Sequence, residues 1–321
     1  MRPVRRLILL AGLSLAAGPA AADSVWVASQ QGARVTRVAG PDGAQQVAPV
    51  AIAVAPSPAV VAAGPGGQLY LSHPDGKAVT VIAPDGAMRQ WPVSGQAFGL
   101  AADPDGRGLY VGDWSGNRVL RISTQTGAVE AEVAVGRDPA GLTVGGAGRL
   151  YVAEREGRSV GVVETAGMTR IAGIPVGDGP FALAYDPVRD RLYVANVRSN
   201  DLSVVDAATL RPVATIPVGA SPYGVAVSPD GRRVVVTNQH AGTVSVVDAD
   251  ALTAVATIPV GRYPEGVAIL GGRAYVANWF SDDVSVVDLA ALKQTGRIPV
   301  AEGPRTVVAQ RQGPVAAEAG R

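Results

Sequence analysis

From residue 24 onward the chain is written in short runs of Val, Ile, Ala and Tyr, each bounded by Gly, Pro, Asn or Asp. Such runs, rich in β-branched residues and closed by turn formers, predict strands. No segment of helical length carries a 3.6-residue period, and 251–255 and 290–293 are too short to count. One stretch shows the arrangement. Gly219-Ala-Ser-Pro222-Tyr-Gly224 forms a turn into a strand at 225–227, and Pro229-Asp-Gly231 turns into a second strand ending at Asn238. A polar loop leads to a third strand at 244–247, and a fourth lies at 255–258.

This four-strand unit recurs. Arg191-Leu-Tyr-Val-Ala-Asn196, Arg233-Val-Val-Val-Thr-Asn238 and Arg273-Ala-Tyr-Val-Ala-Asn278 are three copies of the second strand. Leu202-Ser-Val-Val-Asp206, Val244-Ser-Val-Val-Asp248 and Val284-Ser-Val-Val-Asp288 are three copies of the third. Weaker copies precede them, with equivalent positions at Trp26, Tyr70, Tyr110, Tyr151, Tyr193, Val235 and Tyr275, spaced 40 to 44 residues apart. Seven units of this length predict an all-β, seven-bladed β-propeller with four-stranded antiparallel blades. A lone four-stranded sheet cannot bury both faces, whereas a closed ring gives every face a neighbour. The first unit begins directly at a second-strand pattern, Val25-Trp-Val-Ala28, and lacks a first strand. Gly303-Pro304-Arg-Thr-Val-Val-Ala309 repeats the first-strand turn and strand with no blade behind it, so it is expected to complete the N-terminal blade and close the ring. The propeller domain is thus expected at 23–309, followed by a frayed tail at 310–321.

Residues 1–22 are read separately. Arg2, Arg5 and Arg6 precede an apolar stretch, and Ala20-Ala21-Ala22 offers a small-residue cleavage site. This predicts a cleaved secretory signal and hence a periplasmic or secreted protein. The segment holds three of the 28 Lys and Arg and none of the 27 Asp and Glu, so removing it changes the formal charge from +1 to −2. No basic stripe with interleaved aromatics remains, which argues against nucleic acid. No later apolar run is long enough for stable membrane insertion, and a monomer is expected. The absence of Cys excludes disulfides, thiol nucleophiles and thiolate metal sites, and two His exclude a three-histidine centre. There is no Gly-x-Ser-x-Gly elbow, and Gly145-Gly-Ala-Gly148 is a hairpin turn with no helix after it.

The Tyr-Val-Ala-Asn and Val-Ser-Val-Val-Asp strings resemble the YVTN-type β-propeller repeat proteins of bacteria and archaea. The resemblance spans 24–309 and is densest over 177–300. It implies an exported propeller. Similar propellers look like lactonases, metal-handling accessory proteins, or partners of quinone and haem oxidations, so the resemblance leaves function open.

Two rings of residues are expected on the face where second-to-third-strand loops and blade-entry turns open together. The first is Ser29, His73, Asp113, Glu154, Asn196, Asn238 and Asn278. The recurrent Asn are expected to satisfy turns, and Asp206, Asp248 and Asp288 to cap loops. His73, Asp113 and Glu154 break the pattern on three successive blades and would suit a divalent metal, the cofactor being otherwise open. The second ring is Ala59, Phe98, Ala140, Phe181, Tyr223, Glu265 and Arg305. It is expected to crowd the channel mouth, with Phe98, Phe181 and Tyr223 as an apolar wall and Glu265 paired to Arg305. Trp114, Trp279 and Phe280 are large aromatics in exposed loops, and Arg155, Arg198 and Arg262 lie near the same face. These are candidate contacts to an anionic ligand or a partner. His240 is read as a surface loop residue. The leading reading is a non-enzymatic binding or accessory module for a periplasmic protein or small molecule. The alternatives are a metal-assisted, lactonase-like hydrolase built on His73, Asp113 and Glu154, and a purely structural surface protein.

Overall fold

The computed structural model describes residues 23–39 and 50–310. The expected signal at 1–22 lies outside the described residues, as does the tail from 311 onward. The described chain folds into seven four-stranded antiparallel sheets. Six are built from consecutive strands. In the seventh, the closing strand Pro304–Gln310 pairs with the first strand of the chain, Ser24–Ser29. The register sets Val25 against Ala309, Val27 against Val307 and Ala28 against Thr306. This is a seven-bladed β-propeller, closed by strand exchange between its ends. Gln310, expected in the frayed tail, belongs to the closing strand. Its amide oxygen accepts from the Trp26 indole at 3.1 Å, and its nitrogen donates to the Gly67 carbonyl of the next blade.

The core lies between blades. Tyr193 and Leu202 of blade five pack with Val225, Val234 and Val247 of blade six. Val25, Val27 and Val38 of blade one pack with Tyr275, Val284 and Val286 of blade seven, so the junction made by closure is as apolar as the others. Tyr70, Tyr110, Tyr151, Tyr193 and Tyr275 are fully buried, which explains the recurrent aromatic of the second strand. Their alternation with small residues keeps one side of each strand on either neighbouring sheet.

Near the axis the inner strands pack backbone on backbone. A Cβ added at Gly99 would lie 2.1 Å from the Ala140 carbonyl oxygen, and one added at Gly224 would lie 2.3 Å from that of Glu265. Gly at 99 and 224 is therefore required by the close approach of the neighbouring blade. Blade five carries Ala182 at the equivalent position and tolerates its Cβ. Gly224→Ala should thus cost about 1–3 kcal/mol in denaturant unfolding by overpacking, whereas Ala182→Gly should cost under about 1 kcal/mol. Equal effects would contradict the close approach.

Candidate functional site: the loop-face mouth

The inner strands deliver the second ring through one recurrent irregularity. The pairing of first and second strands slips between Ala97 and Leu100, Pro139 and Leu142, Pro180 and Ala182, Pro222 and Val225, and Pro264 and Val267. On the closing strand, Pro304 and Thr306 are paired and Arg305 is skipped. Phe98, Ala140, Phe181, Tyr223, Glu265 and Arg305 each stand within such a bulge. A bulge leaves a residue out of the ladder and re-aims its side chain, here toward the axis.

Arg305 is the hub. Its Nη2 donates to the Tyr223 hydroxyl at 3.0 Å and its Nη1 to Gln30 Oε1 at 2.7 Å. Its Nε lies 3.5 Å from Glu265 Oε2, so the pair expected across blades one and seven forms. The guanidinium also stands 5.4 Å from the Phe98 ring centroid on blade three and 6.0 Å from that of Trp279. The charge delivered by the closing strand therefore spans the mouth. Glu265 is 5% exposed and accepts from Gln239 Nε2 at 2.9 Å. Burial pushes its carboxyl up to about 7, and the opposing pull of Arg305 and the Gln239 bond does not cancel it. Burial likewise raises the Tyr223 hydroxyl above its ordinary value, so it stays protonated.

Phe98, Phe181 and Tyr223 form one aromatic floor, with centroids 5.9 and 4.1 Å apart. Trp114 meets the Phe98 ring edge-on at 4.9 Å, and Arg155 lies over Trp114 at 5.8 Å. Above the floor is a cavity of about 550 Å³, and below it the central channel encloses about 470 Å³. Phe98, Phe181, Tyr223 and Arg305 line both, and so form the partition between them. The channel side is otherwise apolar, with Leu100, Leu142, Leu183, Val225, Val267 and Val307 on its wall.

The first ring is buried on every described blade. Ser29, His73, Asp113, Glu154, Asn196, Asn238 and Asn278 are all at most 1% exposed. Asn196 donates to Asp201 and Ser203, and Asn278 to Asp283 and Ser285. Asp113 does the same work with opposite polarity, accepting from Gln96 N at 2.9 Å, Gly116 N at 3.1 Å and Arg118 Nε at 3.0 Å. Glu154 accepts from Gly136 N, Ser159 and Arg170. His73 donates from Nδ1 to the Pro56 carbonyl at 3.0 Å and accepts at Nε2 from Thr80 at 2.9 Å. Burial lowers the pKa of the ring and so favours this neutral form. The expected His73, Asp113 and Glu154 metal site is therefore not formed: each group is held inside its own blade, and the described residues contain no cluster of three such ligands. The metal-assisted hydrolase reading, which needed them to converge, loses its site.

The remaining candidates divide. Trp114, Arg155, Phe98, Phe181 and Tyr223 line the mouth cavity. Trp114 and Trp279 are half-buried, Trp114 on the cavity wall and Trp279 beside Arg305. Phe280 is 54% exposed and stands beside the rim residue Tyr263, at 4.9 Å between centroids. Arg262 donates to the Phe280 carbonyl, and Arg198 forms ion pairs with Glu156 and Asp178, so neither is directed into the cavity. His240 is exposed, as expected, and its Nδ1 lies 2.9 Å from the Ser221 hydroxyl.

Four glutamine and tyrosine residues of the mouth escape the sequence reading: Gln30, Gln96, Gln239 and Tyr263. A signal for two of them was present. The position directly after the first ring reads Gln30, Pro74, Trp114, Arg155, Val197, Gln239 and Trp279 round the blades. The first six line the cavity, and the seventh touches Arg305. The first ring is buried within the blades, and its neighbour faces the mouth.

Residues 101–274 match the model of the YNCE-like β-propeller family. The chain belongs to that family. No curated protein matches this YNCE-like propeller in sequence. Among solved structures, it is similar to a protein of unknown function from Desulfotomaculum acetoxidans. The TM-score is 0.78 and the identity 12%, over 91% of this chain and all (100%) of that one. Hydrazine synthase of Kuenenia stuttgartiensis matches at TM-score 0.70 and 21% identity, over 79% of this chain and 95% of that one. Virginiamycin B lyase of Staphylococcus aureus matches at TM-score 0.69 and 13% identity, over 83% and 94%. At these identities the likeness is one of fold.

Proposed function

We propose that this YNCE-like propeller is a binding module that captures a small molecule in its loop-face mouth. One observation carries the reading. Residues that differ from blade to blade, set by bulges on the inner strands and by the positions after the first ring, converge on one cavity whose floor is closed. A concave, aromatic-lined pocket with a few converging polar groups is the form small-molecule sites take. The recessed setting of Trp114 and Trp279 favours a small ligand over a flat protein interface. The Tyr-Val-Ala-Asn strings support placing the chain among YVTN-type repeats, and the N-terminal pattern of charge, apolar run and small residues supports export to the periplasm. On this reading the protein binds and presents or holds its ligand, and no group in the mouth is set up as a nucleophile with a base.

The test is a screen of small molecules of mixed charge and shape, read by Trp fluorescence and thermal shift. Binders should lose about fivefold or more in affinity in Trp114→Ala and in Phe98→Ala, because aromatic contact of this kind is worth about 1 kcal/mol or more per ring. A set of binders indifferent to both changes would move the site elsewhere.

A further inference from the structure

Among the described residues that line the mouth, Arg155 is a cation with no side-chain hydrogen bond or ion pair to a protein acid, and its neighbour Glu156 is itself paired with Arg198. Arg305 is matched to Glu265, Tyr223 and Gln30. Arg155 differs. It lies over the Trp114 ring, and its buried Nε–H has no acceptor among the described residues. Arg155 lines the cavity, and a guanidinium is met best by a planar anion, which matches its fork. The acids of the same cavity do not answer it. Glu265 is engaged by Arg305 and Gln239, and Asp75 stands exposed at the rim. Beside Arg155 the cavity presents flat apolar surface: Trp114 edge-on to Phe98, and Phe98 continuing into the Phe181–Tyr223 floor.

We propose that the mouth ligand is a flat, unsaturated molecule carrying a carboxylate, with the carboxylate on Arg155 and the flat body on the floor of Phe98, Phe181 and Tyr223. The proposal rests on the mouth being a small-molecule site, and it adds charge and shape. Arg155 is then the residue that sets specificity for the anion, and the aromatic floor the element that sets specificity for flatness. Its neighbours explain why it is free to do so: the first-ring residue of the same blade, Glu154, is held by Arg170, Ser159 and Gly136 and is withdrawn from Arg155.

The probes are 2-naphthoate, its neutral isostere 2-naphthamide, and the non-planar anion cyclohexanecarboxylate, titrated calorimetrically into the whole protein. Naphthoate should bind one to one, at least tenfold tighter than either of the others, and more weakly as salt is raised. Arg155→Gln should remove that tenfold preference over the amide. Arg155→Lys should retain part of the preference, since charge survives and the fork does not. Thermal unfolding of both variants within a few degrees of the parent shows that the fold is intact. Amide binding as tight as naphthoate, with Trp114→Ala abolishing both, would overturn the anion assignment while leaving the mouth as a small-molecule site. Cyclohexanecarboxylate equal to naphthoate would overturn the requirement for flatness. If none of the three binds, and the mixed screen finds no ligand sensitive to Trp114, both the assignment and the mouth itself are wrong.

Discussion

A chain ending at Val300 should fail to fold cooperatively. Without Pro304–Gln310, the first blade is left with three strands, and an unpaired edge runs along Val25, Val27 and Ala28. The loss spreads to both neighbours. Val307 and Ala309 pack in the apolar cluster shared with blade seven, and Val308 in the one shared with blade two. The Thr306 hydroxyl that accepts from Val61 N at 3.0 Å goes as well, together with the partner of Glu265. An open propeller exposes two apolar blade faces, which in a repeat fold are covered only by neighbours. The expected outcome is an insoluble chain, or one that binds hydrophobic dye and melts without a sharp transition, at a midpoint lower by roughly 10 °C or more. A sharp transition within a few degrees of the full chain would show that the other six blades stand alone.

The second large effect depends on pH. Glu265 titrates near 7 in the folded protein against an ordinary value of 4.5. Between those values the native state holds a proton that the unfolded chain has released, so this group makes stability fall as pH rises from about 4.5 to about 7. Arg305→Gln removes the one cation opposing the shift, and the titration moves further up. At about pH 5 the carboxyl is neutral in both proteins, and the variant loses only hydrogen bonds, about 1–2 kcal/mol. At about pH 8.5 the parent carries an ionised, partnered Glu265, whereas the variant must keep the proton or bury a bare charge. That adds roughly 2 kcal/mol, since each pH step of one costs about 1.4 kcal/mol. Urea unfolding of parent and variant at the two pH values measures the difference directly. The double variant Arg305→Gln, Glu265→Gln should show no such pH-dependent gap. A gap that persists in the double variant would assign the effect to another group.

The propeller was legible because its physics is repetitive. The Tyr of five second strands, the Asn that closes three second strands and the Pro-x-Gly of the inner turns at 139–141, 222–224 and 264–266 mark the same structural positions in successive blades, and the spare first strand at 303–309 announces closure. The mouth was half legible. Phe181, Tyr223, Glu265 and Arg305 could be placed on one ring by counting from the turn proline, and Phe98 by counting from Ala97 in its place, and they meet there. What the pattern does not reveal is the bulge that turns them inward, because a bulge is a property of two strands in register. The misreading of His73, Asp113 and Glu154 has a definite cause. A break in a repeat looks like function, yet these breaks come with compensating changes in the partner positions. Asn196 and Asn278 meet Asp201 and Asp283 five residues on, whereas Asp113 meets Arg118 at the same interval. The swap of polarity within one hydrogen-bonded pair is the mark of a structural role, and it can be read from the sequence once the pairing is known.

Everything assigned to the mouth depends on the closing strand lying in the register that brings Arg305 over the floor. The chain has no Cys, so one introduced pair reports on that register alone. Val27 and Val307 are direct partners across the antiparallel pair, and opposed residues in such a pair lie within the span a disulfide bridges. Val27→Cys with Val307→Cys should oxidise within one chain, shift its mobility under denaturing conditions and raise its melting temperature, while Val27→Cys with Val308→Cys, whose side chains point to opposite faces, should stay reduced. Cross-links that join separate chains, or that form only in the second pair, would contradict the closure and with it the mouth built upon it.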